Sequence, residues 1–439
     1  MTNNTQSKSE LKPTNIPWLG NIPADWEVRR LGDVNTYCNR GQTPDYSENS
    51  DDLIVINQSC VTYEGINFNK VKYDKSSNYD TSKGKLEFGD LLINSTGTGT
   101  LGRVCIFDSQ LKAICDSHVT IFRPNKNLLK SEYLNYFFKH RQDLAVELLS
   151  EGATNQIELR SDWLRIFKIP LPPLPTQQAI VEYLDTKTNL ISQFIADKQT
   201  MITRLKEQKQ SLIHNAVTKG IQKSGELKPT NIPWLGDIPA DWEVRRLKQC
   251  FYGISNGSTS TQVGEQTNYP VSRIETISKG EINFDKIGYV NNIDESFRIK
   301  KNDFLLSHIN SFEYIGNTAI FNDSRTLYHG MNLLKIIPNL VIIAPMFAFY
   351  FLKSSYFKFA IQRVCKPAIN QVSVSLSDLK DIQIPLPPLT TQQAIVEYLD
   401  IETAKIDTLI DTITQEIELT REYKQSLIYK AVTGKISVE

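Results

Sequence analysis

No two of the six cysteines, Cys38, Cys60, Cys105, Cys115, Cys250 and Cys365, are spaced as CxxC, so zinc-finger geometry is excluded. No signal peptide opens the chain, and the expected setting is a reducing cytoplasm with free thiols. No charge of either sign is in surplus: 49 Lys and Arg stand against 49 Asp and Glu. A free-standing nucleic-acid binder is more often strongly basic, so any DNA contact must come from local patches or from charge lent by a partner. No run reaches the ~20 apolar residues that a membrane-spanning helix needs. The greasiest stretch, Leu340 to Leu352 (LVIIAPMFAFYFL), is shorter, contains Pro345, and reads as a buried strand-to-helix segment. Catalytic signatures are missing as well. There is no NPPY or DPPY tetrapeptide, no Walker A and no HExxH, and Pro44-Asp45 lacks a following (D/E)xK. None of His118, His140, His214, His308 and His329 pairs with a nucleophile in sequence. The reading is a chain that is not an enzyme and has no metal or cofactor site of its own.

What the chain does have is an internal repeat. LKPTNIPWLGNIPADWEVRRL (Leu11 to Leu31) returns as LKPTNIPWLGDIPADWEVRRL (Leu227 to Leu247), with only Asn21 against Asp237 different. IPLPPLPTQQAIVEYLD (Ile169 to Asp185) returns as IPLPPLTTQQAIVEYLD (Ile384 to Asp400), with only Pro175 against Thr390 different. Two copies of one unit of about 215 residues make up the chain. Two long repeats imply a pseudo-symmetric pair rather than a solenoid. Between the shared blocks, residues 32–168 and 248–383 keep a hydrophobic layout but diverge elsewhere, so a shared fold with a different surface is expected.

Each IPLPP block should open a helix, with Thr176 and Thr391 as N-caps. A heptad frame places Val181, Thr188, Ile195, Ile202, Lys209 and Ala216 at a, and Leu184, Ile191, Lys198, Leu205 and Leu212 at d. In the second copy, Val396, Thr403, Ile410, Ile417, Lys424 and Ala431 fall at a, and Leu399, Ile406, Ile413, Thr420 and Leu427 at d. The apolar members of both sets are the expected helix-pairing residues of a coiled coil. The competing reading is an amphipathic helix lying on its own domain. A helix of ~40 residues is ~60 Å long, and a compact domain rarely needs one of that length.

The interposed regions read as α+β. INFNKVKYD and INFDKIGYV, from Ile66 and Ile282, alternate like half-buried strands. DLLINST and RVCIFD read as strands around a glycine-rich turn, and SEYLNYFFKHRQDLAVELL, from Ser131, as helix. GTGTLG, Gly97 to Gly102, matches GxGxxG, but a strand follows where a dinucleotide site needs a helix. A glycine turn is the better reading, and Thr98, Thr100 and Arg103 on it could approach DNA. Trp26 and Trp242 could stack on bases, but their place in the near-identical blocks favours a plug in each domain's core.

The blocks IPWLGxIPADWEVRRL and IPLPPLxxQQAIVEYLD, the helix ending KQSLI..AVTGK (Lys424 to Lys435) with KQSLIHNAVTKG (Lys209 to Gly220), and RGQTP (Arg40 to Pro44) together resemble the specificity subunits of type I restriction–modification systems. The resemblance implies two similar globular α+β (mixed α/β) target recognition domains, separated by two long helices that form an antiparallel coiled coil with pseudo-two-fold symmetry. It divides the chain into a disordered tail (1–10), domain 1 (11–168), helix 1 (169–221), a linker (222–226), domain 2 (227–383) and helix 2 (384–439). It implies a cytoplasmic, non-catalytic subunit that reads a bipartite, asymmetric sequence in double-stranded DNA and has no membrane role. Two modification subunits would carry S-adenosylmethionine, and restriction subunits would add ATP- and Mg-dependent chemistry, with no cofactor held in this chain.

Divergent loop residues Thr98, Thr100, Arg103 and His118 in the first domain, and His308, Asn310, Arg325 and His329 in the second, are the candidate DNA contacts. Arg suits guanine and Asn suits adenine in the major groove. Two alternatives stay open at this point: a coiled-coil adaptor without a DNA role, and a catalytic nuclease or methyltransferase chain.

Overall fold

A computed structural model of the chain describes residues 10–97, 99–139, 150–151, 158–222, 225–277, 280–368 and 371–438. Thr98, and most of the tail and the linker core, lie outside these residues. The chain forms two compact units, Met1–Asp197 with Gln415–Glu439, and Lys198–Thr414. Among the described residues, no helix is long and apolar enough to cross a membrane.

In the first unit the shared block folds back on itself. Leu11–Pro13 pairs antiparallel with Asn21–Pro23, through a turn in which Asn15 and Gly20 take positive φ. Glu27–Arg30 then pairs antiparallel with Lys168–Leu171, which clasps the two ends of the variable region together. A four-stranded antiparallel sheet follows, in the order Val104–Ile106, Leu91–Asn94, Val119–Pro124 and Asn35–Arg40. A second sheet holds Ala113–Cys115, Leu53–Ile56, Lys72–Asp74 and Tyr46–Ser47. Helix Ser131–Lys139 covers the core; the rest of that expected helix, 140–149, lies outside the described residues.

The second unit repeats this plan. Leu227–Pro229 pairs with Asp237–Pro239, and Glu243–Arg246 with Gln383–Leu386. Its four-stranded sheet runs Thr318–Ile320, Phe304–Ser307, Leu333–Pro338, Phe251–Asn256, the same order as in the first unit. Its second sheet is smaller, with three strands. The mixed α+β class and the duplicated fold read from the repeats are therefore present.

The long helices are Leu174–Lys219 and Leu389–Val432. Every a and d position of both is buried or half-buried, while Leu190, Phe194, Met201, Ile401, Leu409, Leu419 and Tyr423 between them are exposed. The 3.5-residue apolar period thus marks a packed seam. The direction of pairing can be read inside each unit. In the first, Val181 and Leu184 share a core with Leu427, Ile428 and Ala431, and Ser192 meets Lys424. In the second, Ile213 and Val217 share a core with Ile395 and Leu399, and Lys209 meets Asp407. Numbers rise along one helix as they fall along the other, so both pairings are antiparallel.

Four local expectations are corrected. The helices begin at Leu174 and Leu389, so Thr176 and Thr391 are not N-caps; the first helical bonds run from Gln177 N to Pro173 O and from Gln392 N to Pro388 O. The IPL of each block is a strand, not helix. INFNKVKYD and INFDKIGYV are interrupted by 3-10 turns at Phe68–Lys70 and Phe284–Lys286. There the Asn67 and Asn283 side chains accept the N–H two residues on, offering the backbone an alternative to the ladder. The greasy stretch contains no strand: Leu340 and Val341 are exposed, and a helix starts at Pro345, whose fixed φ suits the first turn.

The glutamines of the PTQQ and TTQQ runs do work that the sequence did not reveal. Gln177 is fully buried, donates to Leu128 O (2.9 Å) and Pro172 O (2.8 Å), and accepts from Lys130 N (2.9 Å). Gln392 does the same with Ile342 O, Pro387 O and Ala344 N. Each amide satisfies three buried backbone groups and pins its long helix to its own domain.

Candidate nucleic-acid interface

The GTGTLG segment is the tip of the hairpin between Leu91–Asn94 and Val104–Ile106. Gly97, Gly99 and Gly102 all have positive φ, which L side chains adopt only with strain. A Cβ on Gly97 would also meet Gln58 Oε1 at 2.8 Å. No helix follows the tip, so the glycines serve a turn rather than a dinucleotide.

The tip gathers polar side chains from four segments. Thr96 Oγ1 donates to Gln58 Oε1 (3.3 Å) and lies 2.8 Å from His118 Nδ1. Asn94 Nδ2 donates to Gln58 O (2.9 Å). Arg103 Nη2 reaches back to Gly99 O (3.1 Å), and Thr100 Oγ1 donates to Thr96 O and Gly97 O. His118 is exposed, and Asp116 anchors its backbone N–H (2.9 Å). Burial lifts the Asp116 carboxyl above the ordinary range. Of the first-domain candidates, Thr100, Arg103 and His118 are therefore brought to one surface, while Thr98 lies outside the described residues. Gln58 and Thr96 belong to the same surface but were missed. Gln58 lies in the turn before strand Val61–Thr62, about 40 positions from the motif that drew attention, and nothing local to it signals the contact.

In the second unit, residues 308–317 form the corresponding loop. Asn310 sits in strand Ile309–Asn310, which pairs with Gln371–Ser373; its Nδ2 donates to Ser307 Oγ (3.1 Å). Phe312 and Tyr314 of this loop are about half exposed, and such rings can stack on or wedge between bases. His308 is 8% exposed; its Nδ1 is buried with no partner among the described residues, and burial lowers its pKa. Arg325 is exposed but already engaged: it forks onto Asp323 (2.6 and 3.0 Å) and lies 3.4 Å from the Phe284 ring centre.

His329 is a correction. It is fully buried, donates from Nε2 to Leu333 O (2.9 Å), and is pushed by burial to a pKa of about 4. It packs the core and presents no face to DNA. Trp26 and Trp242 are core plugs, as expected from their place in the repeat. Trp242 lies against Gly220 in the second unit, and Trp26 against Gly434 in the first.

The residues expected to pair the helices, Val181, Leu184, Ile191, Ile195, Ile202, Leu205, Leu212, Val396, Leu399, Ile406, Ile410, Ile413, Ile417 and Leu427, are all buried or half-buried.

The model of the type I restriction modification DNA specificity domain matches residues 23–204 and again 239–419. A chain described as the type I restriction enzyme MjaVIII specificity subunit of Methanocaldococcus jannaschii is 25% identical over 95% of this chain and 94% of its own length. A second chain of that organism, provisionally described as the MjaX specificity subunit, is 40% identical over 48% of this chain; that match spans about half, 49%, of the relative's length. Among solved structures, a chain from a type I R-M system studied for complex assembly and conformational transition superposes with a TM-score of 0.72 at 17% identity. It covers 94% of this chain and 99% of that one. The HsdS subunit of Thermoanaerobacter tengcongensis gives a TM-score of 0.56 at 18% identity, over 94% and 98% of the two chains.

Proposed function

This chain belongs to the type I restriction modification DNA specificity family, and we propose on that premise that it is the sequence-reading subunit of such a complex. It takes double-stranded DNA as its ligand and directs adenine methylation or restriction by partner chains. The observation that carries this is the division of labour within the duplicated fold. The near-identical blocks build clasps, plugs and helix seams, whereas the hairpin tip at 95–103 and the loop at 308–317 occupy the same place in the fold with unrelated side chains. Two different readers on one scaffold suit a target of two unlike halves. On this reading residues 11–168 and 227–383 are the recognition domains, and 169–221 and 384–439 the spacers, joined through 222–226.

Base contacts are proposed for Thr98, Thr100, Arg103 and His118 with Gln58, and for Asn310 with Phe312 and Tyr314; His308 and Arg325 stay as lesser candidates. Methyl transfer, with its S-adenosylmethionine, is assigned to two modification subunits, and ATP- and Mg-dependent steps to restriction subunits, in a cytoplasmic complex. The exposed Leu190, Phe194 and Met201 on the first long helix, and Ile401, Leu409, Leu419 and Tyr423 on the second, are apolar where a lone coiled coil would be polar. They are the proposed seat of the modification subunits.

The test is an exchange. Replacing residues 32–168 with those of another family member, in cells supplying the partner subunits, should change one half of the methylated motif and leave the other half alone. A motif that stays whole, or changes in both halves, contradicts the reading.

The spacers give a second expectation. The boundary between the units falls within both long helices, after Asp197 and after Thr414. Inserting one heptad at each point keeps the seam in phase and adds ~10 Å of helix. The methylated motif should keep both halves and gain roughly three base pairs of non-specific spacer, at 3.4 Å each. An active variant with the original spacer would show that helix length does not set the distance.

A further inference from the structure

In each unit the globular part meets a long helix through the same constellation of polar side chains, and in the first unit these groups line a cleft. In the first unit the Tyr136 hydroxyl donates to Asp185 Oδ1 (2.5 Å) and lies 3.3 Å from Thr188 Oγ1. In the second, Tyr350 donates to Asp400 (2.6 Å) and lies 3.5 Å from Thr403. One turn beyond each tyrosine stands a half-buried lysine, Lys139 or Lys353. Across from it stands a lysine of a long helix, Lys424 or Lys209, close enough for the two ammonium groups to repel.

The copies then part at one position. In the second unit Asp407 closes on Lys209, with Nζ to the carboxylate oxygens at 2.6 and 2.7 Å, and it also attracts Lys353. The matching position in the first unit is Ser192, whose hydroxyl lies 2.8 Å from Lys424 Nζ. No carboxylate pairs with Lys424 among the described residues. Glu64 attracts Lys139, Asp185 has its Oδ1 taken by Tyr136, and Glu132 is exposed. Burial lowers the pKa of both Lys139 and Lys424. The cleft these groups line has a volume of about 920 Å³, and Asn189 and Gln425 add amides to it.

We propose that the cleft of the first unit is a binding site for a phosphate-class anion, held between Lys139 and Lys424 with Ser192 as a hydroxyl donor, and that Asp407 fills the equivalent place in the second unit. Two facing ammonium groups, partly stripped of water, require a counter-charge. Glu64 and Glu281 supply one carboxylate in each unit; the second unit adds Asp407, and the first leaves room for a further negative charge. Lysine binds phosphate as a point charge, and the surrounding hydroxyl and amide groups match an oxyanion with several acceptors better than a bare halide. The phosphate could belong to the DNA backbone or be free in solution. Only the first source rests on the recognition reading above.

The test uses the full chain with its partner subunits, and inorganic phosphate as the probe in calorimetry, with chloride as the control. Wild type should bind one phosphate per chain without DNA. Ser192→Asp should lose that binding, because it places in the first unit the carboxylate that Asp407 supplies in the second. Asp407→Ser should gain a second equivalent, which keeps the test decisive should Ser192→Asp fold poorly. Wild type that binds no phosphate, or Ser192→Asp that binds it as well as wild type, overturns the site. Sources are told apart by the salt dependence of DNA binding. A backbone phosphate predicts that Ser192→Asp reduces the log–log slope by about 1, while a free anion leaves the slope alone. The methylated motif stays the same in either case, so failure here is distinct from failure of the 32–168 exchange.

Discussion

Trp242→Ala is expected to cost about 3–5 kcal/mol of stability, the range for deleting a large buried aromatic. Trp242 is 1% exposed and sits in one cluster with Ile213, Ala216 and Val217 at the end of the first long helix, and with Ile395 and Leu399 at the start of the second. Its ring also faces Gly220, where a Cβ would come within 3.3 Å of it. The cavity left by alanine would open where the clasp and both helices meet, and a backbone held by pairing on every side can collapse into it only partly. Denaturant unfolding of the complex and of the free chain should show the loss. Trp234→Ala is the control: that ring is 38% exposed and lies beneath the Arg363 guanidinium at 4.6 Å, so the change should cost well under half as much. Equal losses for the two variants would refute the assignment of Trp242 as the plug.

Acid should weaken the second unit before the first. His329 is held neutral, with its folded pKa lowered from 6.5 to about 4, and burial also lowers His308 and His214 in the same unit. The groups around His329 reinforce this: Lys335 and His308 repel a proton on it, and Leu333 O is the one partner that favours the charged form. A depressed histidine pKa means that the unfolded chain takes up the proton first. Stability is therefore full above pH 6.5 and is lost as pH falls toward 4. For His329 alone the loss is about 2 kcal/mol by pH 5 and about 3 at the limit. Buried carboxyls such as Asp303 are shifted upward and act in the opposite sense. In the first unit the described histidine is His118, which is exposed. Urea unfolding at pH 7 and pH 5 should show the drop, and His329→Gln should flatten it. An equal slope in the variant would mean that other groups carry the acid sensitivity.

The helix seams were legible because they rest on period and composition alone. An apolar residue every 3.5 positions has one stable use over eleven seam sites, and Lys209 and Lys424 at a positions found Asp407 and Ser192 across the seam. The glycine tip was legible for a similar local reason, since a strand follows it. Site residues were harder. His308, Asn310 and His329 all looked like divergent polar loop residues, but a sequence of mixed short strands does not say which face a side chain takes. His329 went to the core because its Nε2 could be satisfied by Leu333 O only four residues away. Gln177 and Gln392 were invisible because each acts on backbone groups brought near by the fold, Leu128 O and Ile342 O, 49 and 50 positions away; Gln58 was invisible because its partners, the Asn94 and Thr96 side chains, lie 36 and 38 positions away.

The first unit is completed by residues from the end of the second long helix. Leu427, Ile428, Ala431 and Val432 lie in the same core as Leu19, Ile22 and Trp26, and Gly434 turns against Pro23. On the ribosome the first segment of this unit is made before the second unit and its last segment after it. Residues 198–414 must be made in between, which at roughly 5–20 residues per second takes on the order of 10–40 s. During that interval the Trp26 pocket waits with an open apolar face, and a chain cut short anywhere in its second half leaves it open for good. Synthesis of the second long helix is thereby coupled to burial of Leu19, Ile22 and Trp26. A first unit lacking Leu427 to Val432 would expose that apolar face to proteases.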